Sequence, residues 1–174
     1  GEHEEGKVSM TTEWNILVVD DEPDVHQVTK LALKHRVWRK RPFTLTSVST
    51  KEEAEKLLEN RPADDPGFQV AIIDVVMETN TAGLELCQYI RAKFSSSLRI
   101  ILRTGQPGVA PEDYVLNEYD IEYYLAKVEA TPERLFAAIR ACLRSSQDIS
   151  TLVAFGQQIQ DFTKALQTVS SIND

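Results

Sequence analysis

Five polar residues stand at the ends of four apolar, strand-like runs in this 174-residue chain. In chain order they are the adjacent pair Asp20 and Asp21, then Asp74, Thr104 and Lys127. Open parallel α/β sheets place their ligand sites at the carboxyl ends of the strands, so these side chains are expected to meet at one edge. Three carboxylates, one hydroxyl and one ammonium suit a divalent metal together with a phosphoryl group. The spacing predicts a phosphate-accepting site.

The carboxylates of this set have separate expected roles. Asp74 is the candidate nucleophile, because a carboxylate that attacks a phosphoryl donor forms an acyl phosphate. Mg²⁺ prefers octahedral oxygen ligands and usually retains several waters. Asp21 and Asp74 are predicted to bind it directly, with Asp20 acting through water and the backbone carbonyl of Val76 as a further ligand.

The remaining two residues are expected to stabilise charge. Lys127 would supply positive charge to the phosphoryl oxygens, and the hydroxyl of Thr104 would hydrogen-bond one of them. Phosphoryl transfer needs little beyond such positioning and charge stabilisation. The five residues are therefore sufficient, as chemical types, for phosphorylation of Asp74.

Strand-like and helix-like segments alternate along the chain, which predicts an α/β fold. Continuous apolar runs are typical of strands covered on both faces, and the alternation implies a parallel, doubly wound sheet with right-handed crossovers. Strands are predicted at 15–20, 43–48, 68–74, 98–103 and 121–125. Helices are predicted after Pro23, after Ser49 or Thr50, at 82–95, after Pro111 and from about residue 132.

The order and spacing of the five polar residues resemble the receiver domain of bacterial two-component response regulators. The resemblance covers residues 14–146. It implies a flavodoxin-like sheet of five strands in the order 2-1-3-4-5, Mg²⁺ as cofactor and a cytoplasmic location. A sensor histidine kinase or phosphotransfer protein would be the phosphoryl donor.

Within this resemblance each polar residue has a counterpart. Asp74 resembles the phosphoacceptor, and Asp20 and Asp21 resemble the metal-binding pair. Thr104 and Lys127 resemble the pair that senses the phosphoryl group.

Two further residues gain a role from the resemblance. Tyr124 lies where receivers carry the aromatic that rotates when the threonine moves toward the phosphoryl group, although Tyr123 is an alternative strand aromatic. Val76 lies where receivers control the access of water, and its apolar side chain predicts a long-lived phosphoryl group.

The loops around the site depart from the usual receiver pattern. Met77 is followed by Glu78 instead of proline, and the loop 78–83 is one residue longer than usual. Val128 replaces the proline that commonly follows the lysine, so a trans peptide is expected there, since a non-proline cis bond costs ~2.5–4 kcal/mol.

The stretches 74–80 and 102–108 resemble a subgroup of multidomain regulators. In that subgroup the receiver precedes an uncharacterised domain and then an output such as an HD-GYP-type cyclic-di-GMP phosphodiesterase or a histidine kinase. This chain contains no HD or GYP motif. We therefore expect no enzymatic activity here beyond self-phosphorylation and dephosphorylation, with any output enzyme outside this chain.

The C-terminal segment 147–174 is predicted to be an amphipathic helix with a heptad seam. Spacings of 3 and 4 residues, typical of a coiled coil, connect six apolar residues: Leu152, Phe155, Ile159, Phe162, Leu166 and Val169. One interpretation is a helix that folds back on the receiver. The other is a dimerising linker that leads to an output domain outside this chain.

Composition limits the remaining possibilities. The net charge of −8 argues against direct nucleic-acid binding, and no apolar run approaches the ~20 residues of a membrane span.

Residues 1–13 are expected to be a disordered lead-in or cloning remnant. Cys87 and Cys142 are expected to be core thiols, and the basic run 34–41 the end of the first helix with a solvated loop.

Two other functions remain as alternatives. A pseudo-receiver would act as an interaction module without phosphorylation, as the departures in the loops would permit. A phosphatase of the haloacid dehalogenase type also uses an aspartate nucleophile, but its motif is Asp-x-Asp, and Asp74 is followed by two valines. The phosphatase is therefore disfavoured.

Overall fold

Across the described part of the chain, six strands form one sheet in the order β2-β3-β1-β4-β5-β6. The structure is a computed structural model that describes residues 13–173 except 95, 97, 107 and 109–111. The predicted lead-in thus lies outside the described residues, except for residue 13. The strands are β1 (Trp14–Val19), β2 (Val37–Trp38), β3 (Arg41–Val48), β4 (Val70–Ile73), β5 (Arg99–Thr104) and β6 (Tyr123–Ala126). The helices are α1 (Pro23–Leu33), α2 (Lys51–Leu58), α3 (Ala82–Phe94), α4 (Glu112–Tyr119) and α5 (Pro132–Ile172).

The predicted doubly wound fold is confirmed. β3, β1, β4, β5 and β6 are parallel neighbours, which is the expected order 2-1-3-4-5 for the five predicted strands. Every residue of β4 and β5 is buried, because helices cover both faces of the sheet. One core cluster lies on the side of α2, α3 and α4, and the other lies on the side of α1 and α5.

The edge strand β2 is a difference from the sequence prediction. Val37 and Trp38 pair antiparallel with the start of β3, so part of the basic run is strand and not loop. The turn between the strands is possible because Arg39 and Lys40 adopt positive φ values of 49° and 61°. Trp14 Nε1 donates a hydrogen bond of 2.9 Å to the Trp38 carbonyl. β2 is therefore the outermost strand of the sheet, and Trp38 connects it to the start of β1.

Two helices, α2 and α5, start after a threonine whose hydroxyl satisfies one of their first backbone amides. The hydroxyl of Thr50 accepts from Glu53 N at 3.1 Å, and that of Thr131 accepts from Arg134 N at 3.2 Å. Threonine is a favourable N-cap for this reason. Cys87 and Cys142 are buried free thiols, as predicted.

Helix α5 continues without a break from the receiver body into the C-terminal segment. It contains 41 residues and is roughly 60 Å long at 1.5 Å per residue. Its buried residues end at Ser146, and every residue of 150–173 is exposed. The interpretation in which this segment folds back on the receiver is therefore wrong. No helix in the described part of the chain is long and apolar enough to cross a membrane.

Candidate functional site

The carboxyl edge of the sheet brings the predicted site residues together. Val19 of β1 pairs with Ile73 of β4, so Asp20 and Asp74, which follow them, leave neighbouring strands at the same level. Their backbones are fixed by ladder-like bonds: Asp20 N donates to Val48 O at 3.1 Å, and Asp74 N donates to Val19 O at 2.9 Å. Both aspartates are almost fully buried, with 1% and 4% exposure.

Lys127 connects the carboxylates of this edge. Its Nζ lies 3.1 Å from Asp74 Oδ2, 3.1 Å from Glu22 Oε2 and 3.3 Å from Asp20 Oδ1. Burial opposes the charge of the ammonium, but the hydrogen bonds to Asp74 and Glu22 outweigh this and raise the pKa of Lys127 above its ordinary value. The lysine is therefore charged and held beside the candidate nucleophile.

The candidate nucleophile, Asp74, is a destabilised carboxylate. Burial, followed by the negative charge of Asp20, raises the pKa of Asp74 to about 6, although the hydrogen bond from Lys127 acts in the opposite direction. Desolvation and like charge both disfavour the ionised form. A cation bound between the carboxylates would relieve this repulsion.

The acidic cluster has the donor set and the free acceptor that such a cation needs. One carboxylate oxygen from each of Asp20, Asp21 and Asp74 lies within 4.8 Å of the others. Asp20 Oδ2 is buried and accepts no hydrogen bond from the described residues, although Lys127 Nζ lies 3.2 Å from it in a geometry that does not make one. Oxygen-only donors of this kind suit a hard ion such as Mg²⁺. The residues present therefore fit a magnesium ion.

A slot with a volume of about 110 Å³ opens above Asp74. Its other lining residues are Asp21, Glu22, Val76, Thr104, Gly105, Gln106 and Lys127. Thr104 is fully buried, and its hydroxyl accepts a hydrogen bond of 3.0 Å from Gln106 N. Every residue predicted for the metal or the phosphoryl group, apart from Asp20 beneath it, thus borders one slot.

Tyr124, and not Tyr123, lies on the same side of the sheet as Thr104. The pairs Thr104 with Ala126 and Leu102 with Tyr124 place the tyrosine two residues behind the threonine on the neighbouring strand. Tyr124 packs against the core cluster beside α3 and α4, whereas Tyr123 is 39% exposed. The position fits the predicted switch pair of Thr104 and Tyr124.

The atypical loops are compatible with the contact between Lys127 and Asp74. Glu78, which replaces the usual proline, accepts a hydrogen bond of 2.7 Å from Lys51 N at the start of α2, so it fixes the longer loop to a helix. No peptide bond among the described residues is cis, in agreement with the trans bond expected before Val128. Lys127 begins a short 3-10 helix, Lys127–Glu129, and still contacts Asp74.

Sequence reasoning missed three residues that shape the site. Glu22 bonds Lys127, and His26 Nε2 donates to the backbone carbonyl of Asp20 at 2.7 Å. Gly83 packs against the backbone of Asp74. The signal for Glu22 was its place next to Asp20–Asp21, but the sequence pattern of the first helix gave no reason to connect His26 with the site.

The fold and this site define a receiver domain. Residues 16–140 match the family model of the response regulator receiver domain. The chain belongs to the response regulator receiver family, which confirms the resemblance stated from the sequence.

Curated relatives extend beyond this chain. Over 150 residues, 86% of the chain, it is 40% identical to 3′3′-cGAMP-specific phosphodiesterase 2 of Vibrio cholerae, and the match covers 28% of that protein. It is 26% identical over 128 residues to the nisin biosynthesis regulatory protein NisR of Lactococcus lactis, with 70% of this chain and 51% of NisR covered. The chain thus spans about half the length of NisR and about a quarter of the length of the phosphodiesterase.

Solved structures share the fold. A CheY-like receiver domain from Methanospirillum hungatei superposes with a TM-score of 0.62 at 21% identity, covering 78% of this chain and 98% of that chain. The signal receiver domain of an HD domain-containing protein from Pseudomonas fluorescens gives the same TM-score at 24% identity, with the same coverage. At these identities the likeness concerns the fold alone.

Proposed function

We propose that this domain accepts a phosphoryl group on Asp74 and that Mg²⁺ is required. The observation that carries the proposal is the contact of 3.1 Å between Lys127 Nζ and Asp74 Oδ2 inside a cluster of three carboxylates. A buried nucleophile with a fixed cation beside it and an open slot above it is suited to phosphoryl transfer.

In the proposed step a carboxylate oxygen of Asp74 attacks the phosphorus of the donor. A new O–P bond forms while the bond from phosphorus to the donor breaks, and the leaving group departs with that electron pair. Asp74 must be ionised for this attack, and Lys127 stabilises the negative charge that gathers on the phosphoryl oxygens. Asp20, Asp21, Asp74 and the carbonyl of Val76 would hold Mg²⁺, which when bound neutralises charge between the nucleophile and the phosphoryl group.

The phosphoryl group would act as a switch through Thr104. A phosphoryl oxygen in the slot would accept a hydrogen bond from the hydroxyl of Thr104, which can donate its proton while it accepts from Gln106 N, and movement of that side chain would free space for Tyr124. The face formed by α4, β6 and α5 would then change. The population of the active state would shift by the differential stabilisation that the phosphoryl group supplies.

The phosphoryl donor would be a sensor histidine kinase or a phosphotransfer protein, and α5 would transmit the change. The 40% identity to a cyclic-dinucleotide phosphodiesterase supports an output that hydrolyses such a nucleotide, in a longer protein. The six seam residues of α5, each at least 51% exposed, support pairing with a second copy. The charged residues between 149 and 173, Asp161 and Lys164, lie outside that seam and its flanking positions.

The test is the intact mass of the protein after incubation with acetyl phosphate and Mg²⁺, beside Asp74→Asn. One added phosphoryl mass that requires both Mg²⁺ and Asp74 is expected. Absence of the adduct, together with failure to bind beryllofluoride, would favour the pseudo-receiver. Turnover of an aryl phosphate would instead support the phosphatase alternative.

A further inference from the structure

Arg103 is a buried arginine in which two of the three guanidinium nitrogens have no hydrogen-bond partner among the described residues. It lies in β5, directly before Thr104, and is 4% exposed. Its Nε and Nη2 atoms are buried and have no hydrogen-bond partner among the described residues. A buried guanidinium in this state is costly, because its desolvation is not offset by hydrogen bonds. Another interaction must therefore compensate the charge of Arg103.

Arg99 is a second buried arginine in the same strand and provides a comparison. It is 5% exposed and lies four residues earlier in β5, so its side chain is on the same face as that of Arg103. Arg99 Nη2 lies 2.6 Å from Glu122 Oε2, and Nη1 lies 3.4 Å from Asp120 Oδ2. At Arg99 the fold supplies acidic partners at contact distance, and in the part of the chain that the structure describes it supplies none at Arg103.

The sheet register places Arg103 beside the acidic site. Val19 pairs with Ile73, and Ile73 pairs with Leu102. One residue further along each strand, Asp20, Asp74 and Arg103 are therefore at the same level of three adjacent strands. The alternation of side chains along a strand puts Arg103 on the face that packs against α1 and α5, the face to which Ile101 belongs.

Arg103 does not border the slot above Asp74. It lines a separate slot of about 180 Å³ between α1 and the segment after β6, together with Asp24, Val25, Val28, Lys127 and Ala130. Burial lowers the pKa of Arg103, and the negative charges of Asp20 and then Asp74 oppose this effect. Its compensation therefore comes from the field of the acidic cluster, in which Asp20 Oδ2 also accepts no hydrogen bond from any described residue.

We propose that Arg103 is a positioning residue of the phosphoacceptor site, a fixed positive charge behind Asp20 and Asp74 that weakens Mg²⁺ binding and favours phosphorylation. The proposal rests on the proposed function. The charge acts against a divalent cation at the carboxylates and in favour of the more negative, phosphorylated state. Removal of the charge should therefore strengthen Mg²⁺ binding and slow phosphorylation, whereas general damage to the site would weaken both.

The experiment compares Arg103→Met and Arg103→Lys with the unmodified chain. Mg²⁺ affinity is measured by isothermal titration calorimetry at pH 8, and the rate of adduct formation with acetyl phosphate is measured by intact mass at saturating Mg²⁺. We expect Arg103→Met to bind Mg²⁺ roughly tenfold more tightly and to acquire the phosphoryl group several-fold more slowly, as for loss of one partly buried charge. Arg103→Lys keeps the charge and should restore both values toward those of the unmodified chain.

Arg99→Met is the matched control, because it removes a buried arginine from the same face of the same strand at the opposite end. It should lower stability and leave both Mg²⁺ affinity and adduct rate unchanged. Unchanged Mg²⁺ affinity in Arg103→Met, or a loss of both affinity and rate, would overturn the proposal. If the unmodified chain forms no adduct, the proposed function fails, while tighter Mg²⁺ binding by Arg103→Met would still support the role of the charge.

Discussion

Gly83 packs directly against the backbone of Asp74. A Cβ atom at Gly83 would lie 1.9 Å from the Asp74 carbonyl oxygen and 2.7 Å from Val75 Cα. Gly83 N also donates to Val75 O at 3.0 Å. The start of α3 thus holds the segment that carries the candidate nucleophile, and the contact permits no side chain.

Gly83→Ala is therefore expected to displace the Asp74 segment. The added methyl group meets backbone and not a flexible side chain, so we expect a loss of about 1–3 kcal/mol in the free energy of unfolding. Phosphorylation by acetyl phosphate should also be slower, because the nucleophile moves relative to Lys127. Urea denaturation and the rate of mass increase measure the two effects.

Gly156→Ala is the control for this substitution. Gly156 lies in the exposed part of α5, and a Cβ there would meet no atom within 4 Å. Alanine favours a helix more than glycine does, so stability should not fall. If Gly83→Ala were as stable and as rapidly phosphorylated as Gly156→Ala, the contact with Asp74 would have no such role.

Asp74→Asn is expected to stabilise the metal-free protein in a pH-dependent way. The pKa of Asp74 is about 6 in the folded chain and 3.8 as its ordinary value, so the folded state binds the proton more tightly. The stability that this group contributes is present below about pH 4 and is lost as the pH rises through 6. Asparagine does not titrate. Above pH 6 the variant should be more stable by on the order of 2 kcal/mol, and this advantage should shrink toward pH 4.

The measurement is urea denaturation in EDTA at several pH values between 4 and 8. A repeat with Mg²⁺ tests the cause, because a cation bound by the unmodified chain should remove the advantage of Asp74→Asn. An advantage that is the same at pH 4 and pH 8 would contradict the assigned pKa.

Mg²⁺ should raise the thermal stability of the unmodified chain. A ligand that binds only the folded state adds about 2.7 kcal/mol at 100 times its Kd. Asp21→Asn should lose most of this shift with little effect on the fold, because Asp21 is exposed and belongs to the acidic cluster. Glu52→Gln should keep the shift, because the side chain of Glu52 in α2 is 79% exposed and lies outside the acidic cluster. Equal shifts in the two variants at constant ionic strength would exclude the cluster as the binding site.

The sequence could place the candidate site residues at one edge of the sheet because each stands at or just past the end of a strand. In a parallel sheet the carboxyl ends of the strands meet, so the sequence alone places Asp20, Asp74 and Thr104 together. The same rule applies to Lys127, which follows β6. The structural effect of Glu78 and Val128, which stand where receivers usually carry proline, could not be predicted from the sequence. It depends on contacts with α2 and on the 3-10 helix Lys127–Glu129.

Other features depended on tertiary contacts that leave no periodic signal. The short strand β2 forms because Trp38 packs on Trp14, with ring centroids 5.2 Å apart, and the basic composition of this run gave no indication of pairing. The burial of Arg103 was also unexpected, because arginine at the end of an apolar run is usually exposed. The continuity of α5 follows from the absence of glycine and proline between residues 133 and 155, a signal that was present in the sequence.

Phe162→Asp should weaken self-association through α5. Phe162 is 66% exposed, and with Phe155 it occupies the d positions at the centre of the seam, where a parallel partner helix would bury both rings. A carboxylate there would be desolvated beside the same carboxylate of the partner helix. The Kd of the dimer, measured by analytical ultracentrifugation, should therefore rise at least tenfold. Gln160→Asp introduces the same charge outside the seam and should leave the association intact. Equal weakening by both variants would point to general charge repulsion, and a monomer at all concentrations of the unmodified, phosphorylated chain would exclude the seam as a self-association surface.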